Sequence, residues 1–147
     1  MKTTNIHYRV KTATENEIYI HLIACNDLFI PPLTQRINVS EYSQKIFEKS
    51  STFEAWSDQF LVGLIAIYLN VDGSAFITNV SVLKDYGGYG IASRMLEMCI
   101  DHARKNLYRE ITLEVNNYNN VAIHLYEKFG FTVHEFKGDI VVMKRQI

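Results

Sequence analysis

Apolar and polar positions change their period several times along the chain, and each change marks an element. Ile6 to Lys11 alternates loosely and predicts a first strand. Glu15 to Phe29 carries Ile18, Leu22, Cys25 and Phe29 at helical spacing, with Thr14 as the cap. Pro31-Pro32 stops that helix, because proline lacks an amide proton and biases the preceding residue away from helix. Ser40 to Lys49 predicts a second helix with Tyr42, Ile46 and Phe47 inward. Ser51 to Asp58 then reads as a strand. Leu61 to Asn70 is nearly all apolar, as in a strand covered on both faces. Asp58-Gln59 joins these two as a hairpin, and Asp72-Gly73 is the next turn. Ala75 to Leu83 is the following strand, with Thr78, Val80 and Val82 on one face.

A glycine-rich turn, Asp85 to Gly90, leads into the clearest helix, about residues 90–106. Its apolar stripe is Ala92, Leu96, Cys99 and Ala103; Arg94, Glu97, Asp101 and Arg104 face solvent. Ile111, Leu113 and Val115 alternate with Thr112, Glu114 and Asn116 as a half-polar strand. Asn119 to Phe129 is a short helix ended by Gly130. Phe131 to Phe136 and Ile140 to Lys144 are final strands around a Lys137-Gly138-Asp139 turn. The order β-α-α-β-β-β-α-β-α-β-β predicts an α/β fold, a mixed sheet with helices on both faces.

Composition narrows the function classes. With 147 residues and 48% hydrophobic content, the chain has material for one core. A net charge of −1 provides no strong field for nucleic acid or an acidic membrane, and neither is expected as a partner. Two cysteines make neither a disulfide framework nor a zinc finger, and read as reduced core thiols. The first residues lack a signal-peptide core, and Leu61 to Leu69 is too short to span a bilayer, so a cytoplasmic protein is expected. Histidines at 7, 21, 102, 124 and 134 show no metal-ligand spacing, and no metal is expected. No serine sits in a Gly-x-Ser-x-Gly elbow.

The glycine turn has two readings, a tight turn or an anion cradle. A strand feeding glycines and then a helix presents free amides and the positive end of the helix dipole, which suits a pyrophosphate. A Walker A loop does not fit, since Ile91-Ala92 follows Gly90. A Rossmann fingerprint belongs near the first strand, and this turn follows the fourth.

The stretch Val82 to Ala92 resembles the acetyl-CoA loop of the GCN5-related N-acetyltransferase superfamily, Arg/Gln-x-x-Gly-x-Gly/Ala. Leu113-Glu114-Val115, Asn119 and Ala122 to Phe131 resemble the same family's C-terminal signature, in the family's order and spacing. The resemblance covers residues 60–136 well. It implies a mainly antiparallel sheet of six to seven strands flanked by about four helices. It implies one unit, 1–147, with acceptor-side elements in 1–59 and the acetyl-CoA core in 60–136. The implied activity is transfer of an acetyl group from acetyl-CoA to a primary amine of a small molecule (amino sugar, amino acid, polyamine) or a peptide. The other reading is a non-catalytic module that senses acyl-CoA or binds a partner.

The resemblance also implies site residues. Tyr126 would be the general acid for the departing sulfur, and Glu114, twelve residues earlier, the candidate base. Glu54 and Asp58 are rival bases. Val80, Ser81, Val82, Gly87, Gly88, Tyr89, Gly90, Ile91, Ala92, Ser93, Asn119 and Tyr126 would bind acetyl-CoA between splayed fourth and fifth strands, with Asn119 equally placed to cap the last helix. An amide near Ser81 or Val82 would hold the oxyanion. Phe29, Arg36, Glu54 and Trp56 are the acceptor-binding candidates, with Tyr42 and Phe53 near them. The family's Arg or Gln falls on Gly87, so a side-chain contact is lost that Lys84 or Arg94 would have to replace. Similar domains often pair their last strands across a homodimer.

Overall fold

A computed structural model describes residues 5–147. The elements are β1 (Ile6–Val10), α1 (Glu15–Ala24), α2 (Val39–Lys49), β2 (Ser51–Ser57), β3 (Phe60–Leu69), β4 (Ser74–Val82), α3 (Ile91–Lys105), β5 (Glu110–Asn116), α4 (Asn120–Lys128), β6 (Thr132–Lys137) and β7 (Ile140–Gln146). The strands form one seven-stranded sheet in the order β1-β2-β3-β4-β5-β7-β6. Every pair is antiparallel except β4 with β5. The α/β expectation, mainly antiparallel with four helices, therefore holds.

Local chemistry sets the helix ends. Thr14 caps α1 in a capping box with Glu17: Glu17 N–H donates to Thr14 Oγ1 at 3.1 Å, and Thr14 N–H to Glu17 Oε1 at 2.8 Å. The helix ends at Ala24, before the expected Phe29, and Asn26–Leu28 forms a short 3-10 turn. Asn26 takes the amide of Thr34 at 2.8 Å, a local bond that competes with helix. So a polar turn ends α1, well ahead of Pro31. In α2 the inward set is Val39, Ser43 and Ile46, while Phe47 is exposed, one step of about 100° round the helix from Ile46.

Two cores flank the sheet. On one face α1 and α2 bury Ile18, Leu22 and Ile46 against Trp56, Leu61, Leu64 and Ala66. On the other, α3 and α4 bury Met95, Leu96, Cys99 and Tyr126 against Ile65, Ile67, Ile77 and Leu113. Gly63 lets α3 come close: a Cβ there would lie 3.0 Å from Met95 Cε and 3.1 Å from Ile91 Cγ2. Since Gly63 pairs with Val82, this close approach brings the start of α3 beside the end of β4. Cys25 and Cys99 are free and buried. No helix among the described residues is long and apolar enough to cross a membrane.

Candidate active site

The site forms where two strands part. β4 pairs with β5 only from Ser74↔Glu110 to Ile77↔Leu113. Beyond that, Thr78 to Val82 have no β5 partner, and Glu114 to Asn116 pair only with β7. A bulge sits at the same point. Ala66 pairs with Asn79 and Ile67 with Ile77, so Thr78 is the extra residue. Tyr42 clamps it from α2, donating its hydroxyl to Thr78 O at 2.7 Å with Thr78 Oγ1 2.8 Å away.

The bulge resets the faces of β4. Ala75 and Ile77 belong to the α3-side core before it, and Val80 and Val82 pack there after it. Asn79 and Ser81 face α1 instead, where Ser81 meets His21. Thr78 thus does not share one plain face with Val80 and Val82. Leu83 donates its amide to Val62 O at 2.8 Å. By the alternation of an antiparallel ladder, Ser81 and Asn79 also bond to β3, whereas the main-chain groups of Val80 and Val82 point to the open edge. Of the two amides expected near the oxyanion, that of Val82 points to the open edge and that of Ser81 is turned toward β3.

The opening is a cleft of about 480 Å³. Thr78 to Val82 form one wall, Glu114 to Asn116 the other, and Asn119, Leu125 and Tyr126 of the α4 segment close it. Phe29, Ile30, Leu33, Arg36, Ile37 and Tyr42 line its far end. Arg36 and Glu114 are the charged residues on this lining. Arg36 has no carboxylate partner among the described residues. Glu114 is exposed, with Lys137 Nζ 3.8 Å away.

Tyr126 is 6% exposed, its ring 6.0 Å from that of Phe131, and burial raises its pKa above the ordinary phenol value. Its hydroxyl has no hydrogen-bond partner among the described residues. Asn119 caps α4 by accepting from Ala122 N–H at 3.2 Å, so its capping role is realised on the cleft wall.

The glycine loop adjoins the cleft rather than lining it. Val82 and Ala92 are on the lining; Gly87, Gly88, Tyr89 and Gly90 lie beyond it, at the start of α3. Gly88 and Gly90 hold φ of +82° and +79°, which favours glycine, and nothing lies within 4 Å of a Cβ built at either. Gly90 caps α3 with no side-chain bond, so the amides of Ile91, Ala92 and Ser93 stay open ahead of Arg94 N–H, which bonds Gly90 O at 3.0 Å. This is a cradle with room for a pyrophosphate. Of the two cations beside it, Arg94 is paired to Glu97, while Lys84 has no partner among the described residues.

Two acceptor candidates lie elsewhere. Glu54 is fully buried, and its carboxylate accepts from Thr12 N–H at 2.9 Å, Ala13 N–H at 3.0 Å, Trp56 Nε1–H at 2.9 Å and the hydroxyls of Thr12 and Thr52. Trp56 is held in this same knot and stacked under Arg9, 5.1 Å from its ring. Neither residue lines the cleft. With every lone pair engaged, Glu54 has no free site for an amine proton, which removes it as a base.

His21 was the residue hardest to find from the sequence. It is 2% exposed and lies between Leu61 and Ser81. One signal was present: it shares the stripe of Ile18, Leu22 and Cys25. Burial lowers its pKa from 6.5 to about 4, opposed by its bonds to Leu61 and Ser81. The unfolded chain therefore takes a proton below about pH 6.5 that the folded chain refuses until about pH 4. This contribution to stability is whole above that window and falls through it as pH drops, by about 3 kcal/mol in all. Urea melts across the window should show a shallower loss for His21→Asn than for the natural chain. Equal slopes would mean that water reaches the ring.

Streptothricin acetyltransferase A of Bacillus subtilis is 30% identical over 86 residues, 58% of this chain and 50% of that protein. N-alpha-acetyltransferase 30 of Saccharomyces cerevisiae is 37% identical over 62 residues, 42% of this chain and 35% of that protein. The chain thus spans about half or less of the length of these relatives. Among solved structures, PaiA N-acetyltransferase of Thermoplasma acidophilum, in complex with coenzyme A, superposes with a TM-score of 0.76 at 17% identity over 98% of this chain and 100% of that one. The ribosomal-protein-S18-alanine N-acetyltransferase of Escherichia coli gives 0.76 at 19% identity over 96% and 94%. The model of the acetyltransferase (GNAT) family matches residues 12–131, and with the parted strands and the glycine cradle this places the chain in that family.

Proposed function

We propose that the chain transfers the acetyl group of acetyl-CoA to a primary amine by direct attack within a ternary complex. The observation that carries this reading is the convergence of three things on one cleft: the open edge of β4, Tyr126 of α4 and Ala92 in the first turn of α3. Family membership and relatives named as acetyltransferases support it.

Bound acetyl-CoA supplies a thioester carbon for attack and a thiolate that can leave. The amides of Ile91 to Ser93 hold its pyrophosphate, with Lys84, which has no partner among the described residues, as the cation nearby. The Val80 and Val82 main-chain groups hold the pantetheine arm as a strand would, and the Val82 amide faces the carbonyl oxygen. Tyr126 donates a proton to the sulfur. Glu114 takes the proton that an incoming ammonium must lose, directly or through water. The acceptor enters past Phe29 and Arg36. One cation and one carboxylate on the lining suit an amine of low charge, and Arg36 repels a polycation.

Calorimetric titration with acetyl-CoA, followed by thiol release with a panel of amines, tests this. Saturable binding with amine-dependent thiol release is expected. Binding without release from any amine would favour an acyl-CoA-sensing module. Gly90→Val should weaken acetyl-CoA binding by more than about tenfold, because a branched residue at positive φ reshapes the cradle at a cost of about 1–2 kcal/mol. An unchanged titration would remove the cradle from the binding site.

A further inference from the structure

The transfer outlined above leaves one buried group on the cleft wall unused. His21 Nδ1 lies 3.1 Å from Leu61 O, and Nε2 lies 2.9 Å from Ser81 Oγ. Ser81 Oγ is also 2.8 Å from Asn79 Oδ1. Ser81 and Asn79 both line the cleft; His21 stands behind them.

The protons in this row can be counted. A carbonyl only accepts, so Nδ1 carries a proton toward Leu61. Ser81 has one hydroxyl proton and two acceptors beside it, and in this structure it donates to Asn79 Oδ1. Nε2 is then the unprotonated nitrogen of the ring, met by Ser81 Oγ and by the Cys25 thiol, whose Sγ lies 3.7 Å away. If the hydroxyl turns from Asn79 to Nε2, its proton reaches the ring and Ser81 Oγ can take another. Nε2 is therefore the basic atom of the row, and the way to it from the cleft is Ser81.

We propose that Ser81 and His21 form a relay that takes the proton released by the amine nitrogen after it has attacked the thioester. The proposal rests on the transfer reading. Ser81 touches the amine, and His21 is a positioning residue that acts through Ser81.

The step balances. The nitrogen lone pair forms the C–N bond while the carbonyl pair moves onto oxygen. The cationic nitrogen gives a proton to Ser81 Oγ as Ser81 gives its own to His21 Nε2. The oxygen pair returns, the C–S bond breaks, and the sulfur leaves with that pair and takes the proton of Tyr126. The ring proton then returns through Ser81 and water to restore Tyr126. The net change moves one proton from amine to thiol.

The ring suits this second proton and not the first. At neutral pH it rests uncharged, because burial holds its pKa near 4. The nitrogen of the adduct is more acidic than a free alkylammonium, so the ring is better matched to the proton released after attack than to the one lost before it. The titratable groups around the row are Cys25, just past the end of α1 with its Sγ 3.7 Å from Nε2, and Tyr42 on α2. Burial pushes them up to about 11 and about 12, so both stay neutral. The causes of the His21 shift include no charged side chain.

The test uses the full chain with acetyl-CoA and phenethylamine as the probe acceptor. Ser81→Ala and His21→Asn should lower kcat about 100-fold with the KM for acetyl-CoA unchanged. Ser81→Thr keeps the hydroxyl and should stay within about threefold. A readout without substrate goes alongside. Nitrogen NMR should find His21 protonated at Nδ1 alone at neutral pH. On acidification the Asn79 side-chain amide should shift with the His21 ring, and this coupling should vanish in Ser81→Ala.

A folded Ser81→Ala that turns over like the natural chain overturns the relay and leaves the transfer reading intact. A ring protonated at Nε2 at neutral pH also overturns it. A natural chain that neither binds acetyl-CoA nor releases thiol overturns the transfer reading and the relay together. If acetyl-CoA binds but phenethylamine does not react, the kcat comparison is made with an amine of the panel that does, and if none reacts the transfer reading and the relay fall together.

Discussion

Tyr126→Phe is expected to lower acetyl transfer about 1000-fold while leaving acetyl-CoA affinity within about twofold. The expectation follows from how the side chain is held. The ring is buried on α4 and packs on Phe131, so phenylalanine fills the same space. The hydroxyl has no protein partner among the described residues, so its removal strands no donor or acceptor. What disappears is the proton offered to the leaving sulfur. Burial raises the phenol above its ordinary range and keeps it protonated. The rate should therefore show no alkaline fall from this group below about pH 10. Thiol release and calorimetry on the two proteins check both parts. A variant that keeps its rate would mean that the sulfur departs as thiolate without an acid.

Glu54→Ala is expected to cost about 4 kcal/mol of stability, read from urea melts. One buried carboxylate satisfies the amides of Thr12 and Ala13, the indole of Trp56 and two threonine hydroxyls. Alanine would leave these five donors facing a void. The two amides belong to the segment between β1 and α1, so this knot pins the entry of α1 to β2. Glu54→Gln keeps one accepting oxygen but turns an amide group toward donors, and should cost about half as much. A loss below about 1 kcal/mol for Glu54→Ala would mean that water takes over the carboxylate's place.

Much of the fold was legible because it rests on local rules. Periods of two and three to four separated strands from helices. Thr14 and Asn119 marked their helix starts, and Gly130 with φ +88° ended α4 as expected. Where a local bond outweighed the pattern, the reading failed. Asn26 ended α1 early, and Phe47 sits one helical step off the buried face.

The site divides in the same way. The glycine cradle and the helix behind it are contiguous in the chain, so backbone chemistry is enough to read them. Tyr126 and Glu114 came from a motif and lie on the cleft lining, where their roles stand as proposals. Glu54 and Trp56 were assigned to the acceptor because acid and aromatic residues near a hairpin suit an amine. Only long-range contacts could show that five donors use up that acid.

The order of strands and helices, the glycine cradle and the family signature were thus determined by the sequence itself, through dihedral preference, capping and hydrophobic period. The tertiary structure decided the rest. One extra residue at Thr78 swaps the faces of β4, points the main-chain groups of Val80 and Val82 to the open edge and sets Ser81 against a histidine sixty residues away. A bulge is a mismatch between two strands, and hydrogen bonds across such distances depend on pairings that no single stretch of sequence contains.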